Sequence, residues 1–250
     1  MRSMILQGLK ERDINSWLIL MTLLILISAS WYYMVFDMTM NMEPVAQWNS
    51  ADITMLFIMW AVMMAGMMLP TVVPVVLLVD RVNHQRKQRH SPYTQTLYFI
   101  LGYLIVWMFY SLLITFVQWW LHQLAMLSPM MVSANKFFSA GLLIIAGCYQ
   151  WSPLKQRCLQ VCRSPLSIIT TQWQEGVSGA LWMGIKHGQF CLGCCWFLMA
   201  LLFVSGVMNL KWILMLTLLV MAEKIIPRGD VISKIIGGAL VLLGIALLIS

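Results

Sequence analysis

Seven long apolar stretches separated by short polar segments dominate the chain. About 20 apolar residues in a helix cross a bilayer core. Windows of that kind fall at 16–36, 53–79, 95–121, 134–150, 180–207, 209–223 and 231–249. The sixth is short, and the second and fifth are long. The pattern predicts an all-α polytopic transmembrane helix bundle of about seven spans, forming a single integral membrane domain over 1–250.

Between the fourth and fifth windows the periodicity changes. Ser152 followed by Pro153 reads as an N-cap with proline at the first helical position, and Pro165 marks the far limit. The intervening helix places Leu154, Cys158, Val161 and Cys162 on one face, with Lys155, Gln156 and Arg163 elsewhere. That arrangement predicts a short amphipathic helix at the inner membrane interface.

Composition supports the membrane assignment, since a chain 61% hydrophobic and 10% charged is too apolar for a soluble domain. Its partner by composition is the lipid bilayer. The net charge of +7 comes from Lys and Arg scattered between the spans, which excludes a nucleic-acid partner and reports topology instead. Three fall before the first span, four in 80–94, three in 151–179 and three in 224–234, against Lys136 and Lys211 on the opposite side. The asymmetry predicts a cytoplasmic N-terminus and an outside C-terminus. The charged opening MRSMILQGLKERD precedes an apolar run without a small-residue cleavage pattern, so the first span is expected to be retained.

Candidate chemistry concentrates in GIKHGQFCLGCCWFLM, residues 184–199. On a helix His187, Cys191, Cys194, Cys195 and Met199 fall on one stripe, because residues three and four apart share a face. Soft sulfur and imidazole donors together suit a soft metal. The packing alternative is that cysteine serves as a small hydrophobe while Gly184, Gly188 and Gly193 admit a neighbouring helix. Counted from residue 179, the cysteines lie about 18–24 Å along the span, near mid-membrane. Lys186 there reads as a snorkelling side chain.

Further donors are spread along the chain. Met59, Met63 and Met67 recur at four-residue spacing before Pro70 and Pro74, a stripe that either packs a core or lines an ion path through a weakened helix. Met38, Met40 and Met42 alternate in the first outer loop and point one way if extended. Asp52 stands at the outer mouth of the second span, and Glu223 beside Lys224 at the inner end of the sixth. Met38, Met40, Met42, Asp52 and Glu223 are candidates for a cation pathway. Cys158 and Cys162, four apart, are either an uptake or relay site or packing residues. A two- or three-coordinate metal enclosed between helices needs donors from more than one of them. The second and fifth spans are therefore expected to pack together, with Met63 or Met67 near the cysteines.

Asp52, MWAVMMAGMMLP, YQWSPLKQRCLQVCRSP, HGQFCLGCCW, MNLKW and the Glu223-Lys224 pair, in this order, resemble the bacterial predicted metal-binding integral membrane proteins. The resemblance covers roughly residues 50–228. It implies metal binding through the cysteine and methionine motifs in a bacterial inner membrane, but neither a reaction nor a particular metal.

Two functions follow. In the first, the protein handles a soft metal, Cu(I) before zinc because thioethers add little for zinc, in transport, delivery or assembly of a metal-dependent complex with other membrane proteins. In the second, it is a membrane thiol redox enzyme exchanging electrons with a quinone or a partner protein. A structural accessory subunit is the plainest alternative. The donor set favours a metal handler over an enzyme.

The charge asymmetry is directly testable. Cysteines introduced as Met40→Cys and Lys87→Cys should react with an impermeant thiol reagent from opposite sides of the membrane. Labelling from one side would overturn the seven-span topology.

Overall fold

The structure, a computed structural model, describes residues 2–37, 49–90, 96–124, 135–164 and 173–249, with side chains from residue 16 onward. The segment holding Met38, Met40 and Met42 lies outside the described residues. The described residues form helices α1 (Arg2–Phe36), α2 (Ser50–Gln88), α3 (Thr96–Gln123), α4 (Lys136–Gln150), α5 (Pro153–Arg163), α6 (Gly176–Ala200), α7 (Leu202–Ser205), α8 (Leu210–Ile225) and α9 (Gly229–Ile249). The fold is all-helical, as the hydrophobic pattern predicts.

Each apolar window contains a helix, but five of the helices are long and apolar enough to cross a membrane, or six if α4 and α5 form one bent span. The shortfall lies in α4, with 15 residues, and α8, with 16. Proline ends both. The residue before proline is driven out of the helical region, and Ser152 (ψ 136°) and Ile226 (ψ 137°) are both extended. After the first break the chain turns by 62° into α5.

Glycine sets how closely the long helices approach. A Cβ on Gly102 would lie 2.2 Å from the Leu181 carbonyl oxygen, and one on Gly184 would lie 2.1 Å from that of Phe99. α3 and α6 therefore touch backbone to backbone, the contact that small residues permit between helices. α4 and α9 do the same through Gly147 and Gly237. The outward faces, with Leu97, Ile105, Phe109 and Phe116 exposed, are apolar, as a helix bundle solvated by lipid requires.

In α2 a proline is accommodated by a neighbouring helix. Pro70 lacks the N–H that would bond the carbonyl of Gly66. That oxygen instead accepts a hydrogen bond from the Trp31 indole of α1 at 3.3 Å. The C-terminal part of α2 is tied down by Asp80, whose carboxylate accepts from Ser16 at 2.5 Å and from Thr96 at 3.3 Å.

The glycine contacts predict an asymmetric mutational response. Gly184→Ala should force α3 and α6 apart and destabilise the bundle by about 1–3 kcal/mol, the usual cost of overpacking. Gly141→Ala, where nothing lies within 4 Å of the added carbon, should stabilise by up to about 1 kcal/mol through helix propensity. Thermal unfolding in detergent followed by circular dichroism distinguishes the two, and equal responses would contradict the close approach.

Candidate metal centre

α6 carries the stripe that the spacing predicts. His187, Cys191, Cys194, Cys195 and Met199 are all buried on it. The thiols of Cys194 and Cys195 donate to the Cys191 carbonyl oxygen at 3.0 and 2.9 Å, the back-bonding available to a short polar side chain one turn along. His187 packs beside the rings of Phe99 and Tyr103, with centroids 5.9 and 6.0 Å away. Its Nδ1 is buried and has no hydrogen-bond partner among the described residues.

A second helix adds sulfur to the cluster. α5 packs against α6, and its buried Cys162 shares one core with Cys191 and Cys194. One turn earlier, Cys158 presses on α6 where there is no side chain, its Sγ 2.8 Å from where a Cβ on Gly193 would stand. The small-residue reading of Gly184, Gly188 and Gly193 and the chemical reading of the cysteines are thus compatible. The glycines admit α3 and α5, and α5 brings further thiols.

The face of α5 turned inward differs from the expected one. Lys155, Cys158, Leu159 and Cys162 are buried, while Leu154 is 59% exposed. The reason is electrostatic. Lys155 is fully buried because its Nζ lies 2.8 and 3.0 Å from the two carboxylate oxygens of the equally buried Glu223, and it also donates to Gln150 Oε1. A buried carboxylate demands a counter-ion, and this demand outweighs the preference to bury Leu154.

Polar groups from three other helices surround Cys191. Lys224 donates to its Sγ at 2.9 Å and to the Thr71 hydroxyl at 3.0 Å. The Tyr103 hydroxyl lies 3.1 Å from the same sulfur and donates to the Met68 carbonyl at 3.2 Å. Since Lys224 belongs to the last turn of α8, the cysteines lie level with the end of that short helix. The third span, which shows no chemistry in sequence, supplies Tyr103, and Lys224 donates to Cys191 and Thr71 while Glu223 pairs with Lys155. Only the juxtaposition of an acid and a base at the end of an apolar run hints at these roles.

Of the remaining candidates, the α2 methionines share one buried core with the cysteines. Met59, Met63 and Met67 are buried. However, α2 packs mainly on α1, α3 and α8 rather than on α6, and it reaches the cysteines through the Met68 carbonyl and Thr71. Asp52 accepts from the Asn49 backbone N–H at 2.9 Å in a capping box that starts α2.

The donor chemistry fits a soft cation: four buried thiols from two helices, an imidazole with a bare buried nitrogen, and a thioether one turn beyond. Among the described residues, no three His, Cys, Asp or Glu side chains converge as a ready-made ion cage. The thiols of Cys194 and Cys195 are turned onto their own backbone instead.

This defines a class: an apolar helical bundle with a buried, multi-thiol site. The chain belongs to a copper chaperone family (PpoB2), whose model matches residues 57–247. That family is metal-handling, in agreement with the resemblance carried by the cysteine and methionine motifs. No curated protein and no solved structure matches the chain.

Burial predicts an order of thiol reactivity. Cys148 is exposed, whereas Cys158, Cys162, Cys191, Cys194 and Cys195 are buried. Brief treatment of the folded, metal-free protein with N-ethylmaleimide should modify Cys148 first, with the other five following only on unfolding. Peptide mass spectrometry reads the order, and early modification of Cys191 would contradict the packing described.

Proposed function

We propose that the protein is a membrane-embedded Cu(I) chaperone that holds its cargo on cysteine thiolates and passes it to another protein of a copper-dependent complex. The carrying observation is that the successive helices α5 and α6 pack together and bury Cys162, Cys191, Cys194 and Cys195 in one core. The copper chaperone family supports the same reading. His187 and Met199, on the same face of α6, are the supplementary donors. Met59, Met63, Met67 and Asp52 belong to a route by which the cation approaches, and Glu223 acts there through its pairing with Lys155.

The chemistry follows from the surroundings of Cys191. The Lys224 ammonium lies 2.9 Å from its sulfur, and the thiolate is the form of cysteine that binds metal. Cys194 and Cys195 must rotate off the Cys191 carbonyl to turn their sulfurs toward the cargo. That single backbone acceptor is a weak tether, with a net worth of about 0.5–1.5 kcal/mol per hydrogen bond. Cu(I) replaces the thiol protons, so loading releases protons and weakens as pH falls. A site of this kind exchanges cargo with a partner by thiolate-for-thiolate substitution.

Purified protein reduced and loaded under anaerobic conditions should bind Cu(I) stoichiometrically. Joint replacement of Cys191, Cys194 and Cys195 by Ser should abolish binding, while Met63→Leu and Met67→Leu should weaken it with little loss of folding. Copper content and thiol oxidation state are to be measured in the same preparation, with and without a quinone. Stoichiometric dithiol–disulfide turnover in metal-free protein would instead establish the redox enzyme.

A further inference from the structure

We infer that the buried Lys155–Glu223 pair is a latch that aims α5 so that Cys162 joins the α6 thiols. Lys155 is thereby a positioning residue for the cargo site and no ligand itself. The assignment rests on the copper-binding reading for its consequence, but its geometry is independent of metal. Lys155, Cys158 and Cys162 are spaced by three and four residues and share one face of α5. Fixing the direction of Lys155 therefore fixes the direction of Cys162.

The latch has several partners, and they come from different helices. Both carboxylate oxygens of Glu223, in α8, lie within 3.0 Å of Lys155 Nζ. Gln150, at the end of α4, accepts from the same ammonium and is itself held by the Ser233 hydroxyl of α9 at 2.9 Å. The polar groups of this network are buried, so rotating α5 away strands an ammonium and a carboxylate together. At the other end of α5, Arg163 donates to the Ile226 carbonyl at 3.0 Å and pairs with Asp230 at 3.4 Å. These contacts are more exposed and hold less firmly. α5 has 11 residues, too short for a stable helix by itself, so its orientation is set by these tertiary contacts.

The next residue to Glu223 joins the two halves of the site. Glu223 grips α5 while Lys224 donates to Cys191 Sγ. The last turn of α8 thus sets the second helix of donors and also holds the thiol to which they are brought. Positioning groups of this kind commonly change metal affinity about 10- to 100-fold without touching the metal.

The experiment has a metal-free arm and a copper arm, both on the full-length protein in detergent. In the first, Cys148, Cys158, Cys194 and Cys195 are replaced by Ala, leaving Cys162 and Cys191. Iodine then oxidises the two thiols to one disulfide and is reduced to iodide, and mass spectrometry measures the yield. We expect efficient cross-linking in this parent, at least fivefold less with Lys155→Met, and recovery when Lys155→Glu is combined with Glu223→Lys. Where Lys155→Met alone fails to fold, Lys155→Met with Glu223→Leu takes its place, leaving no lone buried charge, and the same loss is expected. Undiminished cross-linking without the ion pair, or a charge swap without recovery, overturns the latch.

In the copper arm, competition with bathocuproine disulfonate measures Cu(I) affinity on the otherwise native sequence. Lys155→Met and Cys162→Ser should each weaken binding about 10- to 100-fold, and the two together should cost no more than either alone, the signature of one shared interaction. Losses that multiply would mean that Lys155 acts by another route and would overturn the inference. Wild-type protein that takes up no Cu(I), alongside the expected cross-linking, would leave the latch standing and remove the copper reading.

Discussion

Charge has few places to go in a bundle whose outward faces are apolar, and much of the arrangement follows from where the internal charges meet. Glu223 and Lys224 are neighbours on α8, about 100° apart around the helix axis. One therefore faces α5 and the other faces α2 and α6. A charge removed from water without a partner costs far more than the packing of one leucine. That inequality explains why α5 exposes Leu154 and buries Lys155, and why the last turn of a short helix becomes the meeting point of several others.

The cysteine face of α6 depends on the same economy of contacts. Glycines at 102, 184 and 188 bring α3 so close to α6 that the Tyr103 hydroxyl reaches Cys191. Gly193 leaves the gap into which Cys158 fits, and one turn further Cys162 shares one core with the α6 thiols. A glycine stripe and a cysteine stripe on one helix are thus complementary. The first decides which helices come near, and the second is what they come near to.

Prolines shape the bundle by ending helices early as well as by weakening them. Pro153 stops α4 and starts α5, while Pro227 stops α8 just beyond Lys224. Two helices that end early leave room at the level of the cysteines for α5 to turn inward. Within α2, Pro70 frees the Gly66 carbonyl, and α1 answers with an indole N–H. The break at Pro70 is thus met by a side chain from another helix, as buried polar groups require.

The sequence by itself determined the helical class, the approximate spans and the cysteine stripe of α6. All three rest on local periodicity: apolar run length, proline breaks and the three- and four-residue spacing of His187, Cys191, Cys194, Cys195 and Met199 on one helix face. The capping of α5 at Ser152 was equally local and equally legible. What only the tertiary structure decided were the contacts between distant segments, which no periodicity encodes. Lys155, read as a surface charge because lysine usually seeks water, is buried against a carboxylate 68 residues away. Tyr103 and Lys224 reach Cys191 from other helices, and α5 sets Cys158 against Gly193 of α6. Spacing states which side chains share a face. Which face meets which is settled by glycine gaps, proline stops and the pairing of buried charge.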